Sequence, residues 1–296
     1  MDIANMIVTS VLRGSFYSLM AVGLALVFGV MNIANFAHGE FYMLGAYFAY
    51  AGFVLIGLDP ITTILFAGLL VFIIGAIVER ALFVPLRVRS KKNWLMNTFL
   101  LTLGMSVIMQ NLVRVLIGFR NYGLPRGYFP GASSIFGIRM GNDRIFSFIV
   151  SITAILILMV FLNKTRIGRA IRAVSQDPVG ARLSGINLSF IYTLTFGLSC
   201  ALAAIAGASL LFMAPATPLV GLNPLIKSWF VLILVGLGNV GASIVGGIIV
   251  GFLETAAVHQ FGSGWMDVIS LAVIIILLIV KPNGLFGKKG VKSAVE

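Results

Sequence analysis

The side chains in this sequence that are best suited to chemistry stand in one short polar segment, Asn32–Glu40, which reads NIANFAHGE. His38 and Glu40 are residue types that bind metals or relay protons. They are two positions apart, so on a helix they would not share a face, and no other His or Cys lies nearby to complete a metal site. We therefore expect Asn32, Asn35, His38 and Glu40 to satisfy the local backbone or contact a neighbouring helix, and we expect no catalytic residue and no metal site.

Four charged side chains fall within long apolar runs: Arg13, Arg114, Lys227 and Glu254. A charge inside a membrane is costly and is often functional. Lys227 and Glu254 lie in neighbouring apolar segments, so one hypothesis is that they form an ion pair. The alternative is that one of them lines a path and meets the carboxylate or ammonium group of a substrate.

Two rarer residue types have ordinary interpretations. Trp94, Trp229 and Trp265 are typical of anchors at a membrane interface, in preference to stacking on a substrate. Cys200 is the only cysteine and stands in an apolar run, so we expect a small packed residue with no disulfide.

A second informative segment is polar and basic, Lys164–Asn187, reading KTRIGRAIRAVSQDPVGARLSGIN. Its apolar residues recur at helical spacing and predict one apolar stripe, while three arginines fall on another face. The stripe is Ile167, Ala170, Ile171 and Val174, and the arginines are Arg166, Arg169 and Arg172.

Asp177 then suits the N-cap of a second helix, Pro178 its first position, and Gly185 its end. A loop that only fixes topology would explain the arginines but not a stripe followed by a capped helix. We expect a docking element for a cytoplasmic partner, with Arg169, Arg172, Asp177, Pro178 and Gly185 as its candidate residues.

The elements that position these residues must be membrane helices. Of 296 residues, 59% are hydrophobic and 10% are charged, and the mean hydropathy is +1.07; soluble domains carry about 25% charged residues. The net charge of +12 is concentrated in short segments between apolar runs, which is typical of the positive-inside rule and does not indicate a nucleic-acid partner.

We predict an all-α, polytopic transmembrane bundle of about eight to nine hydrophobic segments, some broken or re-entrant. A bilayer core of about 30 Å needs about 20 helical residues. The chain shows no internal repeat at the residue level and no linker, so residues 1–296 are treated as a single domain. The segments are Met6–Val30, Phe41–Leu58, Ile61–Leu82, Trp94–Phe119, Ile145–Leu162, Leu188–Met213, two within Leu225–Val258, and Met266–Val280.

Three basic segments predict the orientation: Arg80–Lys92, Lys164–Arg182 and the tail from Lys281 to Lys292. All three are cytoplasmic if the N-terminus is outside and nine segments cross. The segment Arg120–Arg144 carries four arginines yet falls outside, where its prolines and glycines predict an irregular loop.

Two further stretches interrupt the helical pattern. Gly236–Gly251 holds six glycines, among them the pair Gly247 and Gly251 at GxxxG spacing, which allows close helix approach. Pro215–Pro224 is irregular and joins two apolar segments. Interrupted helices in both halves of a transporter often mark the translocation path. We therefore count Gly236 and Gly238, together with Asn32, Asn35, His38 and Glu40, as candidate residues of such a path.

Several separate blocks of the sequence resemble the branched-chain amino acid permeases of the LivH type, from Gly14 to Gly287. The segment Lys164–Asn187 looks like the coupling loop of ABC-importer permeases. Arg13 departs from the pattern, because a small or neutral residue is more usual there. The blocks are Asn35–Glu40 with Tyr42–Tyr47, Glu79-Arg80 with Pro85–Arg87, Gly168–Ala170 with Arg172-Ala173, Asp177, Gly185-Ile186, Gly236–Gly238 and Lys281–Gly287.

The resemblance implies one subunit of a heteromeric importer in a bacterial inner membrane. Its partners would be membrane lipid, a second permease, two cytoplasmic ATPase subunits and an external binding protein that delivers the amino acid. This chain would bind no cofactor and would not be an enzyme, because ATP-Mg would belong to the ATPases. The sequence agrees in lacking a G-x-x-x-x-G-K-[ST] phosphate loop.

Other readings remain open from the sequence. A urea or amide permease of the same family shares much of the motif set. A stand-alone secondary transporter would need its own coupling-ion site, for which Glu254 is the plausible acidic residue. An intramembrane enzyme would need a nucleophile with a base, or a metal set, which two distant histidines do not supply.

Overall fold

The computed structural model describes residues 3–90, 93–124, 129, 131–135 and 138–287. Twelve α-helices lie in these ranges, and eight helical segments are long and apolar enough to cross a membrane. The helices are α1 Ile3–Met31, α2 His38–Tyr50, α3 Pro60–Val78, α4 Val84–Arg89, α5 Trp94–Leu116, α6 Asn142–Lys164, α7 Arg166–Gln176, α8 Pro178–Leu183, α9 Leu188–Leu210, α10 Leu222–Val235, α11 Val240–Phe261 and α12 Met266–Val280.

The predicted helical membrane bundle is confirmed, with one small β-hairpin as an addition. Its strands are β1 Ala132–Ile135 and β2 Ile138–Gly141, which pair antiparallel in the long connection between α5 and α6. Apolar side chains cover the outside of the bundle, as the stripe on α3 shows with exposures of 45–62%. That stripe is Ile61, Leu65, Leu69, Ile73 and Ile77. A surface of this kind requires lipid or another apolar partner.

Two helices continue through π-helical turns, Ala51–Leu55 after α2 and Glu79–Phe83 between α3 and α4. The second turn has a local cause. Pro85 has no N–H to donate and its ring clashes with the carbonyl of the preceding turn, so the chain widens before it. The widened turn carries Glu79 and is continuous with α4, which carries Arg87.

The basic segments meet at one end of the bundle, which we call the basic end. Trp94 at the start of α5 donates its Nε1–H to the carbonyl of Met31 at the end of α1, 3.1 Å away. The chain after α12 pairs with the end of α10, through Leu285 N to Leu234 O at 2.8 Å. The predicted grouping of basic segments therefore holds for their described residues; Lys91, Lys92, Lys288, Lys289 and Lys292 lie outside them.

The opposite end, which we call the hairpin end, carries the β-hairpin. Arg120, Arg139 and Arg144 are exposed there, as the orientation requires. Tyr122 forms an isolated bridge with Ala216, which ties the loop after α5 to the loop after α9. Pro125, Arg126 and Pro130 of this loop lie outside the described residues.

The chain re-enters the bundle twice without a helix. After α1 ends at the basic end, residues 32–37 run back until His38 lies beside Met20, with Nε2 3.2 Å from its carbonyl oxygen. Met20 is eleven residues before Met31, a depth of about 16 Å at helical rise. Residues 211–221 do the same from the other end, so α2 and α10 both begin inside the bundle, where Gly39 and Gly221 touch.

The two halves of the chain therefore form an inverted repeat, in which α1, α2, α3 and α5 correspond to α9, α10, α11 and α12. The helix α1 lies antiparallel to α11, and α3 lies antiparallel to α9. In the first pair a Cβ at Gly14 would lie 2.6 Å from Ile248 Cα; in the second a Cβ at Gly75 would lie 2.8 Å from Cys200 Sγ. The two halves share small residues at close helix contacts and share an interruption before the second helix, but not particular residue types. This explains why the repeat is not visible at the residue level.

The expectation for the glycine-rich stretch needs correction. The predicted division of Leu225–Val258 into two helices is right, but the break is a short turn at the basic end, where Gly236 and Gly238 have φ of 103° and 79° and Asn239 caps α11. Gly251 lies in a regular helix, and a Cβ there would be 2.7 Å from Ser10 O on α1. The break inside the bundle belongs instead to residues 211–221.

Candidate functional site

The first turn of α2 is a fully buried polar centre. Asn35 Oδ1 accepts the N–H of Ala37 at 3.1 Å and thereby satisfies one of the free amides that every helix start leaves. Asn35 and His38 have no exposed surface, and Glu40 is 2% exposed. The polar segment is thus held by local hydrogen bonds, as predicted, but it lies deep in the bundle because the chain re-enters there.

His38 and Glu40 make separate contacts. A carbonyl only accepts hydrogen bonds, so the proton of His38 lies on Nε2, which faces Met20. Glu40 Oε1 accepts from Ser106 at 2.8 Å and from Gln110 at 2.7 Å, both on α5. The two side chains therefore do not form a shared proton relay in this arrangement.

An aromatic stack covers the other side of this centre. The Phe36 ring lies 5.0 Å from the Trp229 ring of α10 at an interplanar angle of 21°, and 4.9 Å from the Phe99 ring of α5, edge to face. Trp229 Nε1 is buried and has no hydrogen-bond partner among the described residues. The interpretation of Trp229 as an interface anchor is therefore wrong, since its polar atom does not reach a membrane surface.

The other candidate path residues form a second group at the basic end. Asn32 ends α1 in the left-handed conformation, with φ of 51°. Together with Gly236 and Gly238 it lines a cavity of about 840 Å³. The same cavity is lined by Gln176 and Pro178 of the α7–α8 segment, so this group is joined to the predicted docking element and not to the buried centre.

Lys227 and Glu254 are in contact, as one of the two hypotheses predicted. Both are fully buried, and Lys227 also contacts Asp267 at the start of α12. Glu254 Oε2 accepts from the Tyr17 hydroxyl at 2.6 Å and lies 3.9 Å from Arg13 Nη1. The unexpected Arg13 therefore has a carboxylate beside it, and the cluster balances two cations with two anions.

A third buried carboxylate lies near the basic end. Glu79 has no exposed surface; its Oε1 is 3.0 Å from Arg87 Nη2 and its Oε2 accepts from Thr193 at 2.6 Å. The Arg87 guanidinium lies over the rings of Tyr192 and Trp94, 4.4 Å and 5.5 Å from their centroids. This cluster fixes the end of α3 against α9 and α5.

The docking segment has the caps that the sequence predicted. Asp177 Oδ1 accepts from Val179 N at 2.9 Å, Pro178 is the first residue of α8, and Gly185 ends α8 at φ of 82°. Ile186 N then bonds Ala181 O at 3.1 Å, which completes a Schellman motif. The segment thus has a defined shape of its own.

The faces of α7 are also as predicted, with one exception. Ile171 and Val174 are buried against the bundle, and Arg169 and Arg172 are exposed. Ile167 is 39% exposed, so the stripe is shorter than its spacing indicated, because Gly168 takes the buried position against α6.

Two exposed apolar residues on α8 were missed. Val179 is 69% exposed and Leu183 is 85% exposed. They are four positions apart and so share one face. The helix α8 is too short to cross a membrane, and an exposed apolar face on such a helix has the composition of a protein contact.

Comparison with known proteins decides the family. The sequence matches the family described as the permease component of branched-chain amino acid transport systems over residues 6–278. It is 32% identical to the high-affinity branched-chain amino acid permease protein LivH of Salmonella typhimurium, over 95% of this chain and 94% of the relative. This chain belongs to that permease family.

Other relatives of the permease agree. It is 31% identical to BraD of Pseudomonas aeruginosa over 95% of this chain and 94% of that protein, and 29% identical to a probable LivH of Methanocaldococcus jannaschii over 91% and 88%. No solved structure matches the chain.

Some partners in the permease's polar centre carried no signal in the sequence. Ser106 and Gln110 lie on a helix of mostly apolar residues, and nothing local relates them to Glu40, 66 and 70 positions away. Their spacing of four places them on one face of α5, which is the only sequence feature that could have drawn attention to them. Trp229 can be recognised as part of this centre only from the re-entrant path of residues 32–37, which places Phe36 against its ring.

Proposed function

We propose that this permease is the membrane subunit of a binding-protein-dependent ABC importer that moves branched-chain amino acids into the cell. Membership in the family and the printed function of its relatives support this assignment. The observation that carries the ATP-driven mechanism is α8, a capped helix at the basic end whose Val179 and Leu183 are exposed. By the positive-inside rule that end is cytoplasmic.

The α7–α8 segment is the coupling element in this proposal. Val179 and Leu183 insert into a groove of an ATPase subunit, and Arg169 and Arg172 contact its surface. Because Ile171 and Val174 are buried against the bundle, a movement of the ATPase is passed to α1, α6 and α9. The caps at Asp177 and Gly185 keep the two short helices rigid enough to transmit it.

The full importer contains two permease subunits, two ATPases that bind ATP-Mg, and an external binding protein at the hairpin end. Hydrolysis takes place on the ATPases, and this chain contributes the path and the coupling. Alternating access requires that ATP-bound and ATP-free ATPases favour different arrangements of the permease. The location is the inner membrane of a bacterial cell, in contact with lipid on the apolar outer surface.

The assignment is tested by uptake of labelled leucine into proteoliposomes that hold the permease with its neighbouring permease, ATPases and binding protein. We expect uptake that requires ATP and the binding protein and that isoleucine or valine blocks. Uptake blocked only by urea would overturn the substrate. Uptake by this chain alone without ATP would overturn the importer mechanism and indicate a secondary transporter.

A further inference from the structure

Two hydrogen-bond donors at the start of α2 are buried without an acceptor. Asn35 Nδ2 and Trp229 Nε1 both lack a hydrogen-bond partner among the described residues, and Asn35 has no exposed surface. The orientation of the Asn35 amide is fixed, because its Oδ1 accepts from Ala37 N at 3.1 Å and the NH₂ group must then point the other way. Buried donors are normally paired, and each unpaired one calls for an explanation.

The position of these donors favours an anion. The first turns of α2 and α10 meet inside the bundle at the contact between Gly39 and Gly221, and each helix start carries partial positive charge. In transporters with interrupted helices, such half-helix starts point at anionic groups of the substrate. Asn35 directly precedes Phe36 in the chain, and the Phe36 ring stacks on Trp229, which brings the two donor-bearing residues to the same centre.

An acceptor of the opposite kind lies one turn away. Glu40 is held by Ser106 and Gln110 through a single oxygen, Oε1. The centre therefore holds one unpaired donor on α10, one in the re-entrant segment, and a carboxyl group that contacts α5. This is the pattern that complements an α-amino acid, whose carboxylate and ammonium groups are separated by one carbon atom.

We propose that Asn35 and Trp229 bind the carboxylate of the transported amino acid and that Glu40 binds its ammonium group. This rests on the proposed function and adds the recognition of the amino acid backbone to it. A neutral amide such as urea has neither charge, so it would make only the weaker, neutral hydrogen bonds to the two donors and would bring no ammonium group to Glu40. The glycines at positions 39 and 221 allow the two helix starts to lie in direct contact beside it, since a Cβ on Gly39 would lie 2.5 Å from Gly221 O.

The test uses two near-isosteric substitutions in the complete importer. Trp229→Phe keeps an aromatic ring against Phe36 and removes the N–H. Asn35→Asp keeps the acceptor for Ala37 N and replaces the donor with an oxygen that repels a carboxylate. The matched control is Trp94→Phe, because Trp94 Nε1 already has Met31 O as its partner.

In proteoliposomes, we expect both variants to lower ATP-driven leucine uptake by about tenfold, the effect of one lost charge-assisted hydrogen bond. Hydrolysis of ATP stimulated by the loaded binding protein should continue, so that fewer leucines cross per ATP; the Trp94→Phe control should keep the wild-type ratio. If Trp229→Phe and Asn35→Asp also keep that ratio, the site is refuted while leucine uptake by the wild type still upholds the importer. A merely structural role would lower hydrolysis and uptake together.

A measurement on the unmodified complex does not depend on how the variants fold. The probe is a diazirine analogue of leucine, which retains both backbone charges, activated by light during turnover. We expect labelled peptides from residues 32–40 or 222–230 of this chain, and unlabelled leucine should suppress them. Labelling of this chain confined to other regions would contradict the proposal.

Discussion

Two of the three buried glutamates described above, Glu79 and Glu254, belong to corresponding helices of the two halves of the inverted repeat. Glu79, in the π-helical turn after α3, accepts a hydrogen bond from a hydroxyl group of α9, and Glu254 on α11 accepts one from a hydroxyl group of α1, each at 2.6 Å. Each also lies beside a cation. They differ in where that cation comes from: Arg87 stands eight residues along the same continuous helix as Glu79, whereas Lys227 belongs to α10, which begins at the centre of the bundle.

This difference indicates different tasks for the two ends. In the Glu79 cluster the carboxylate and its arginine belong to one continuous helix, which they hold against α9 and α5, and the arginine is 28% exposed. The Glu254 cluster joins the interrupted helix α10 to α11 and α12 through a lysine with no exposed surface. We infer that the Glu79 cluster keeps the basic end rigid and that the Glu254 cluster holds α10 in the arrangement observed here.

The largest effect is expected from Lys227→Met. It leaves Glu254 buried with the Tyr17 hydroxyl and with Arg13 at 3.9 Å, and breaking one side of a buried ion pair costs about 3–5 kcal/mol. Thermal unfolding of the purified permease complex should show a correspondingly lower midpoint and a lower yield of assembled complex.

The control is the double variant Lys227→Met with Glu254→Met, which removes both charges at once and should be less unstable than Lys227→Met alone. An exchange of the two residues should likewise recover part of the assembly. A double variant that is as unstable as the sum of its single variants would show that the two side chains do not act as a pair.

A smaller loss is expected from Arg87→Met. Glu79 keeps the Thr193 hydroxyl, and water can reach the place of a partly exposed guanidinium, so we expect about 1–3 kcal/mol. The same unfolding measurement compares the two clusters directly. If Arg87→Met and Lys227→Met lower the free energy of unfolding equally, the partial exposure of the Glu79 cluster does not make it less sensitive than the fully buried Glu254 cluster.

The caps of α8 should matter less for stability than either cluster. Asp177→Ala removes the side chain that accepts from Val179 N, and loss of such a cap costs about 0.5–2 kcal/mol. Because the segment lies outside the membrane, insertion should be normal and substrate-stimulated ATP hydrolysis should fall. Asp177→Asn retains a capping oxygen and should keep most of the stimulation; unchanged hydrolysis in Asp177→Ala would argue against a coupling role.

How much of this could be predicted from the sequence depends on whether a signal is local. The caps at Asp177 and Gly185 were predictable because a cap is set by residues within four positions of it. The contact of Lys227 with Glu254 was one of two hypotheses that the sequence offered, because a charge in an apolar run must either find a partner or face a path. The contact of Glu40 with Gln110 was not, because it depends on how deeply residues 32–37 re-enter the bundle. The inverted repeat could not be predicted for a related reason. Its two halves share only small residues at helix contacts and an interruption before the second helix, and many different sequences can form these features.

The least effect on stability, with a large effect on function, is expected from Val179→Ser with Leu183→Ser. Both side chains are exposed, and surface substitutions usually change the free energy of unfolding by less than about 0.5 kcal/mol. In the assembled importer each would lose the burial of an apolar side chain against an ATPase, which is worth about 1.5–3 kcal/mol. Binding of purified ATPase to the permease in nanodiscs should therefore weaken strongly while the unfolding midpoint stays where it was.

The matched control for this pair is Val88→Ser. Val88 is 72% exposed on α4, also at the basic end, but it lies outside the α7–α8 segment. Serine there should leave both stability and ATPase binding unchanged. If Val88→Ser weakens binding as much as the α8 pair does, the ATPase also contacts α4, next to the Glu79 cluster. The proposal that the α7–α8 segment alone binds the ATPase, while the Glu79 cluster only keeps the basic end rigid, would then be wrong.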